Sequence, residues 1–419
     1  MIKRSILHIL EEHVNEPELT ILTGPRQVGK TYLMHIIENS LKEKGCKTLY
    51  MNLDYDEHMP LFDSQISLIN YIKLQVGNEK AYVFVDEIQR KENADVFFKG
   101  IADRHLQYKF ILSGSGSLEL KSKIKESMVG RKRIFIVDPI SFEEFVNFKT
   151  SYQYENKLND FFSIEKERSK ILLEEYMNYG GYPQVVIADT VDKKRSAMDE
   201  IYKSYIDRDI SGLLGVEKTY EFGNLIKILS SQIGSLVNIT ELSSTLGISS
   251  KTVKKYLWYL EQTFIIKKVT PYHSNIRKEI SKTPIYYFYD TGFRNFTLGL
   301  FGLPIIPSSL SGHLFENIIF NHLKQQLVST STTIHFWRTK DHSEVDFILK
   351  NGIDLIPIEA KYTNLDKIEI QRSYRNFLIK YRPKKGYIIN LGKNQKTLIE
   401  NAPIHFISYY EFIMGKIIN

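Results

Sequence analysis

The chain has a single cysteine, Cys46, among its 419 residues. That excludes an intramolecular disulfide and fits a reducing compartment, so a cytoplasmic location is expected. No run of about 18 apolar residues occurs, so no membrane-spanning helix is expected. No segment repeats and no tract is compositionally biased, which argues against a solenoid or a low-complexity tail. The start, "MIKRSILHILEEHVNE", has a short apolar segment but reaches acidic residues quickly and lacks a small-residue cleavage site. It reads as an amphipathic helix, not a signal peptide.

What is present is ordinary for a globular protein: 42% apolar and 25% charged residues. The length points to about 2–4 domains. A net charge of +7 and a pI near 9.0 lean towards an acidic partner such as nucleic acid. Lysine-rich solvated faces explain the same bias.

Residues 1–150 alternate strand and helix patterns. Strands are expected at Leu19–Thr23, Thr48–Leu53, Ala81–Val85, Lys109–Leu112 and Arg133–Val137. "AYVFV" and "FIL" are continuous apolar runs, as in parallel strands covered on both faces. Leu33, Ile37 and Leu41, spaced by four, mark a helix after the first strand. The pattern is α/β, a doubly wound parallel sheet. Residues 151–219 turn helical, broken by "YGGYP" at Tyr179–Pro183; residues 220–300 and 301–419 complete the expected division.

Gly24, Pro25, Arg26, Gln27, Val28, Gly29, Lys30 and Thr31 match G-x-x-x-x-G-K-[ST] at every fixed position. The glycines let the backbone curl so that its N–H groups face phosphate oxygens. Lys30 is placed to reach the β- and γ-phosphates, and the Thr31 hydroxyl to meet Mg²⁺. The following helix adds its N-terminal partial charge. A strand entering and an amphipathic helix leaving favour this reading over a ligand-free glycine turn. Next, "YVFVDEIQ" ends an apolar strand in Asp86 and Glu87. Acids there sit where open α/β sheets bind ligands. Asp86 would hold Mg²⁺ through water and Glu87 would polarise an attacking water. The strand "KFILSGSGS" ends in Ser113 and Ser115. If the sheet order sets it beside the phosphate loop, a hydroxyl could sense the γ-phosphate; otherwise it is a Ser/Gly turn.

These residues resemble the AAA+ ATPases, and more closely a prokaryotic group with a GPRQVGKT-type loop. That group carries an apolar-DE(I/V)Q strand and a G-R-x-x-x-(L/V/I)-x-P-(L/I)-S-F-x-E-F element, here "GRKRIFIVDPISFEEF", Gly130–Phe145. The resemblance extends over "YGGYP", "YKSYIDRDI" and "YYFYDTGFRN". It implies ATP as ligand and a nucleotide contact from Arg131, in cis or from a neighbouring subunit, the latter requiring a homo-oligomer. The basic stretch around Arg131 fits a solvated or nucleic-acid-facing loop equally well. No N/T-K-x-D run that would read guanine is present.

"NITELSSTLGISSKTVKKYLWYLEQTFIIKKV" reads as two helices around a turn at Gly247, with Thr240 and Ser249 or Ser250 as N-caps. Val253, Leu257 and Leu260 form an apolar stripe, with Lys251, Lys254 and Lys255 off it. Strand-like "FIIKKV" and "PIYYFYD" follow, completing a winged helix-turn-helix pattern. Its lysines either contact nucleic-acid phosphates, DNA before RNA, or form the wet face of a structural module.

Farther on, "SEVDFILKNGIDLIPIEAKY" sets Asp346 and the pair Glu359 and Lys361 on two strands joined at Asn351-Gly352. Period two puts Glu359 and Lys361 on one face. Upstream, Glu316 shares a helix face with Ile319, Phe320 and Leu323, costly to bury unless paired or metal-bound. The set resembles the PD-(D/E)XK nuclease superfamily, with Val345 standing where a proline is usual. The resemblance implies that Asp346 and Glu359, with or without Glu316, hold Mg²⁺ while Lys361 orients the attacking water. A plain internal salt bridge among Asp346, Lys361 and Glu359 is the alternative. The expected function is an ATP-binding and ATP-hydrolysing protein coupled to a nuclease-like domain. The alternative is an ATP-dependent DNA- or protein-binding switch that does not cut.

Overall fold

The structure is a computed structural model that describes residues 2–415 apart from 116–129, 214, 276, 278, 280–281, 305, 329, 340, 342 and 366–369. Most of the basic stretch before Arg131 lies outside the described residues. The chain groups into two compact units. The first is built from residues 1–140, 182–219 and 255–265, the second from 141–181, 220–254 and 266–419. The expected divisions at 150, 219 and 300 take each domain as one continuous stretch, whereas each compact unit draws on three separate stretches of the chain.

In the first unit, α1 (Ile6–His13) precedes β1 (Leu19–Thr23), α2 (Lys30–Glu43), β2 (Lys47–Asn52), α3 (Gln65–Val76), β3 (Ala81–Asp86), α4 (Ala94–Ala102), β4 (Tyr108–Ser113) and β5 (Lys132–Ile136). The strands form one parallel sheet in the order β2-β3-β4-β1-β5. Every residue of β1, β3 and β4 is buried, as continuous apolar runs between helices require. β4 lies between β3 and β1, so the Ser113 end falls beside both the phosphate loop and the strand bearing Asp86. Met51, Leu68, Ile72, Val83, Phe98 and Leu112 centre this unit's core.

The second unit holds an eight-stranded mixed sheet in the order β12-β13-β11-β10-β9-β8-β6-β7. Its strands are β6 (Ile266–Pro271), β7 (Ile285–Phe288), β8 (Thr333–Arg338), β9 (Glu344–Asn351), β10 (Asp354–Ala360), β11 (Gly386–Asn390), β12 (Gln395–Ile399) and β13 (Ala402–Ser408). β6 pairs antiparallel with β7 and parallel with β8. The two strands read as a wing therefore extend the C-terminal sheet. Helices Ile239–Leu246 and Ser250–Gln262 flank Gly247, whose φ of 64° ends the first of them. The first helix is capped by Asn238, not by Thr240: the Asn238 side chain accepts from the Thr240 N–H at 3.0 Å. Ser249 Oγ accepts from Thr252 N–H at 3.1 Å before the second.

Candidate functional sites: a phosphate loop and a carboxylate–lysine cluster

The stretch from Gly24 to Thr31 joins the carboxyl end of β1 to the start of α2. Positive φ at Gly24 (149°), Gln27 (58°) and Gly29 (94°) curls it. A Cβ at Gly24 would lie 2.2 Å from the Val137 carbonyl oxygen, so only glycine fits. Lys30 is buried, and its Nζ donates to the carbonyls of Gly24 (3.2 Å) and Pro25 (2.6 Å). Burial draws its pKa down to about 8 against the pull of Glu87. Thr31 Oγ1 donates to Asp86 Oδ2 at 2.7 Å. The same carboxylate accepts from Tyr50 Oη at 3.0 Å, from Ser113 Oγ and from the Glu87 N–H at 3.0 Å. Ser113 therefore contacts Asp86 directly.

Glu87 sits at φ 57° and bonds to the Gln89 amide. Burial, then the neighbouring Asp86, pushes its carboxyl above the ordinary glutamate range. The residues fit a nucleotide and its cation. The loop is curled, its lysine is buried, a hydroxyl and a carboxylate meet at one point, and Gln27 Oε1 is buried without a hydrogen-bond partner.

Three contributors were not visible in sequence. Arg4 donates to the carbonyls of Val28 (2.9 Å) and Asp138 (2.6 Å), pinning the loop from the N-terminus. Tyr50 props Asp86 from the neighbouring strand, and burial followed by Asp86 raises its pKa. Arg26 Nε donates to Asp209 Oδ2 at 2.7 Å. Asp209 lies in "YKSYIDRDI", a stretch singled out by resemblance but given no role.

Arg131 is elsewhere. It directly precedes β5, which runs parallel to β1 with Lys132 beside Leu19 and Ile136 beside Thr23. Four residues of strand, about 13 Å, separate that end from the phosphate loop. Arg131 pairs with Asp103. Register and ion pair together set Arg131 at the end of β5 opposite the loop.

In the second unit, Asn351 pairs with Asp354 and Phe347 with Ile358, so the turn is Gly352-Ile353. Continuing the register sets Asp346 opposite Glu359. Asp346 Oδ2 accepts from the Ala360 N–H at 2.8 Å, and Lys361 Nζ donates to Glu359 Oε1 at 2.8 Å. Gln371, with its amide turned to satisfy both neighbours, donates to Glu359 Oε1 (3.2 Å) and accepts from Lys361 Nζ (3.0 Å). Glu316 Oε2 lies 3.5 Å from His313 Nδ1, over Gly234, where a Cβ would come within 3.1 Å of it.

Burial, then Glu359 and Glu316, pushes Asp346 well above the carboxylate range. Burial also raises Glu359, against Lys361. Burial pulls Lys361 down, but Glu359, Asp346 and Glu316 outweigh it and the net shift is upward. Glu359 Oε2 is buried with no hydrogen-bond partner. Among the described residues, no three His, Cys, Asp or Glu side chains converge where a metal ion could sit. The expected three-carboxylate set is therefore not assembled. The oxygens of Asp346, Glu359 and Glu316 turn towards Ala360, Lys361 and His313. Asp346 and Glu359 alone remain as a two-carboxylate pair with an unpartnered oxygen. Of the alternative Asp346–Lys361–Glu359 bridge, the Lys361–Glu359 bond forms, while the hydrogen bond given for Asp346 is to the Ala360 N–H.

Among the described residues, no helix is long and apolar enough to cross a membrane. Residues 16–146 match the AAA domain family, residues 170–303 a domain of unknown function (DUF8612) and residues 311–411 another (DUF4143). An uncharacterised protein of Haemophilus influenzae is 26% identical over 353 residues, 82% of each chain. One of Methanocaldococcus jannaschii is 26% identical over 342 residues, 79% of this chain and 72% of the relative. Among solved structures, AMPPCP-bound DnaA from Aquifex aeolicus covers 61% of this chain and 86% of its own at 16% identity, with a TM-score of 0.24. Pif1 helicase from Candida albicans covers 36% and 44% at 15% identity, with a TM-score of 0.25. Residues 16–146, which carry the phosphate loop, match the AAA domain family, in one chain with two regions that match domains of unknown function.

Proposed function

We propose that the protein hydrolyses ATP at the phosphate loop and couples this to phosphodiester chemistry on nucleic acid at the Asp346–Glu359–Lys361 cluster. For the first activity the carrying observation is the 2.7 Å contact between Thr31 and Asp86 at the mouth of the curled loop. Bound MgATP supplies the phosphoanhydride and a cation that offsets its charge. The loop N–H groups and Lys30 bind the phosphates. Thr31 and Asp86 would hold the cation, with Tyr50 and Ser113 fixing the carboxylate. Glu87, raised by burial, accepts a proton from the attacking water at its carboxylate. Phosphate release by wild type and Glu87→Gln tests this. Equal rates would reject Glu87 as base.

For the second activity the carrying observation is the buried Glu359 oxygen without a partner, beside a carboxylate whose pKa burial raises. Such a pair is under-neutralised and suits a divalent cation. Lys361, held by Glu359 and Gln371, would orient water. The test is Mg²⁺-dependent cutting of DNA and RNA, with and without ATP, by wild type and Asp346→Ala. Cutting by wild type alone supports the reading.

The carboxylates do not form a three-residue cation site. A non-cutting switch, binding nucleic acid or protein in response to ATP, would keep its binding in Asp346→Ala. Lys251, Lys254 and Lys255 would then make contacts that weaken with salt. We further propose that Arg131, which lies at the end of β5 opposite the phosphate loop, reaches a nucleotide in a neighbouring subunit of a homo-oligomer. Sedimentation with and without ATP tests it.

A further inference from the structure

Asp209 is 4% exposed and sits in a π-helical segment, Tyr205–Leu213. One carboxylate oxygen takes the Arg26 guanidinium of the phosphate loop at 2.7 Å, and the other is buried with no hydrogen-bond partner. The charges of Lys30 and Arg208 also act on it. A carboxylate thus faces two loop cations, Arg26 and Lys30, on the chain's own account. Burial outweighs Arg26 and raises its pKa, so the ionised form is under-compensated where it sits. A triphosphate brings several negative charges to the same two cations. Arg26 cannot keep a short bond to Asp209 while it turns to a phosphate, and two anions crowded in a low-dielectric site repel.

We propose that Asp209 is an intrinsic competitor for the phosphate site: it latches Arg26, and a nucleoside triphosphate displaces it, loosening the Tyr205–Leu213 segment. The inference rests on the nucleotide-site reading above. The segment is anchored on either side of Asp209, by Tyr205 Oη against Thr263 Oγ1 (2.9 Å) and by the Ile210 carbonyl accepting from Val216 N–H (3.1 Å). Release of the carboxylate therefore loosens a short, bounded stretch. Six residues beyond Leu213 the chain leaves the first unit, after Thr219, so the latch lies just ahead of a passage between units.

The test uses the full chain, ATPγS titration, and hydrogen–deuterium exchange read over residues 205–213. ATPγS should speed exchange in that segment of the wild-type protein. Asp209→Asn keeps the shape and removes the charge; it should bind ATPγS about tenfold more tightly or better, with exchange no longer nucleotide-dependent. The proposal is overturned if wild-type exchange there ignores ATPγS, or if Asp209→Asn binds no more tightly than wild type. If neither protein binds ATPγS, the nucleotide reading falls and takes the latch with it; unchanged affinity in a variant of a protein that does bind removes the latch alone. Should Asp209→Asn not fold, wild-type exchange decides the matter.

Discussion

Burial draws Lys30 down to about 8, whereas the unfolded side chain titrates near 10.5. Between those values the unfolded chain binds more protons, so stability rises with pH there. Below about pH 8 the buried cation costs the fold its full penalty, on the order of 3 kcal/mol. Lys30→Met should therefore raise Tm at pH 7 by a few degrees, and the gain should shrink by pH 10. Nucleotide should no longer stabilise the variant. Thermal melts at both pH values, with and without ATP, check this. Glu87 behaves in the opposite sense. Its carboxyl must be ionised to accept a proton, and its pKa lies above the ordinary range. ATP hydrolysis should fall as pH falls through that raised value. Glu87→Gln should keep nucleotide affinity, lose about 10²–10³-fold in turnover and lack the acidic limb. Rates of phosphate release against pH measure both. Arg26 and Asp209 were not recoverable as a pair from sequence, because 183 positions separate them and neither type is unusual where it stands. Lys30 and Asp86 were legible because their spacing and neighbours carry the chemistry.

The phosphate loop is bounded by the end of β5 as well as by its own glycines. Gly24→Ala would drive a methyl into the Val137 carbonyl at 2.2 Å with φ at 149°. The expected result is a loss on the order of 2–4 kcal/mol and no measurable ATP affinity, read by urea melts and calorimetric titration. At the β9–β10 hairpin, Asp346 and Glu359 face each other across the register. Because Asp346 is raised by burial and by Glu359, stability from this group is lost as pH rises above the unfolded carboxyl value. Asp346→Asn should melt higher than wild type at pH 7 without metal. Mg²⁺ should raise Tm of wild type and leave the variant unmoved; equal shifts would remove Asp346 as a ligand. The strands of the parallel sheet, and β6, β7, β9 and β10 of the other, were legible within about two residues, since continuous or alternating apolar runs leave few other options. Their order was not: the side of β5 on which Arg131 falls depends on parallel register with β1, which no local pattern encodes. The Asn238 cap was missed for a smaller reason, because Thr240 two residues later is an equally good capping type.

Across the molecule, the chain changes unit after residues 140, 181, 219, 254 and 265. The AAA match ends at residue 146, yet the compact unit that contains it also takes 182–219 and 255–265. A fragment ending at residue 150 lacks Asp209 for Arg26, and both Tyr205 and Thr263. It should unfold at lower urea than the same unit in the whole chain, and bind ATP more weakly or aggregate. Circular dichroism and light scattering on the two proteins decide between these outcomes and full independence. Sequence division by texture placed the cuts at composition changes. It could not see that later stretches group with the first unit, because contacts far apart in the chain leave no local mark.

This interleaving also sets an order of events at the ribosome. The last stretch of the first unit, 255–265, is made 125 residues after residue 140. At about 5–20 residues per second that is on the order of 6–25 s of translation. For that interval the nascent parallel sheet waits with part of its compact unit unmade, and a holdase that shields apolar strand faces would find its client during those seconds.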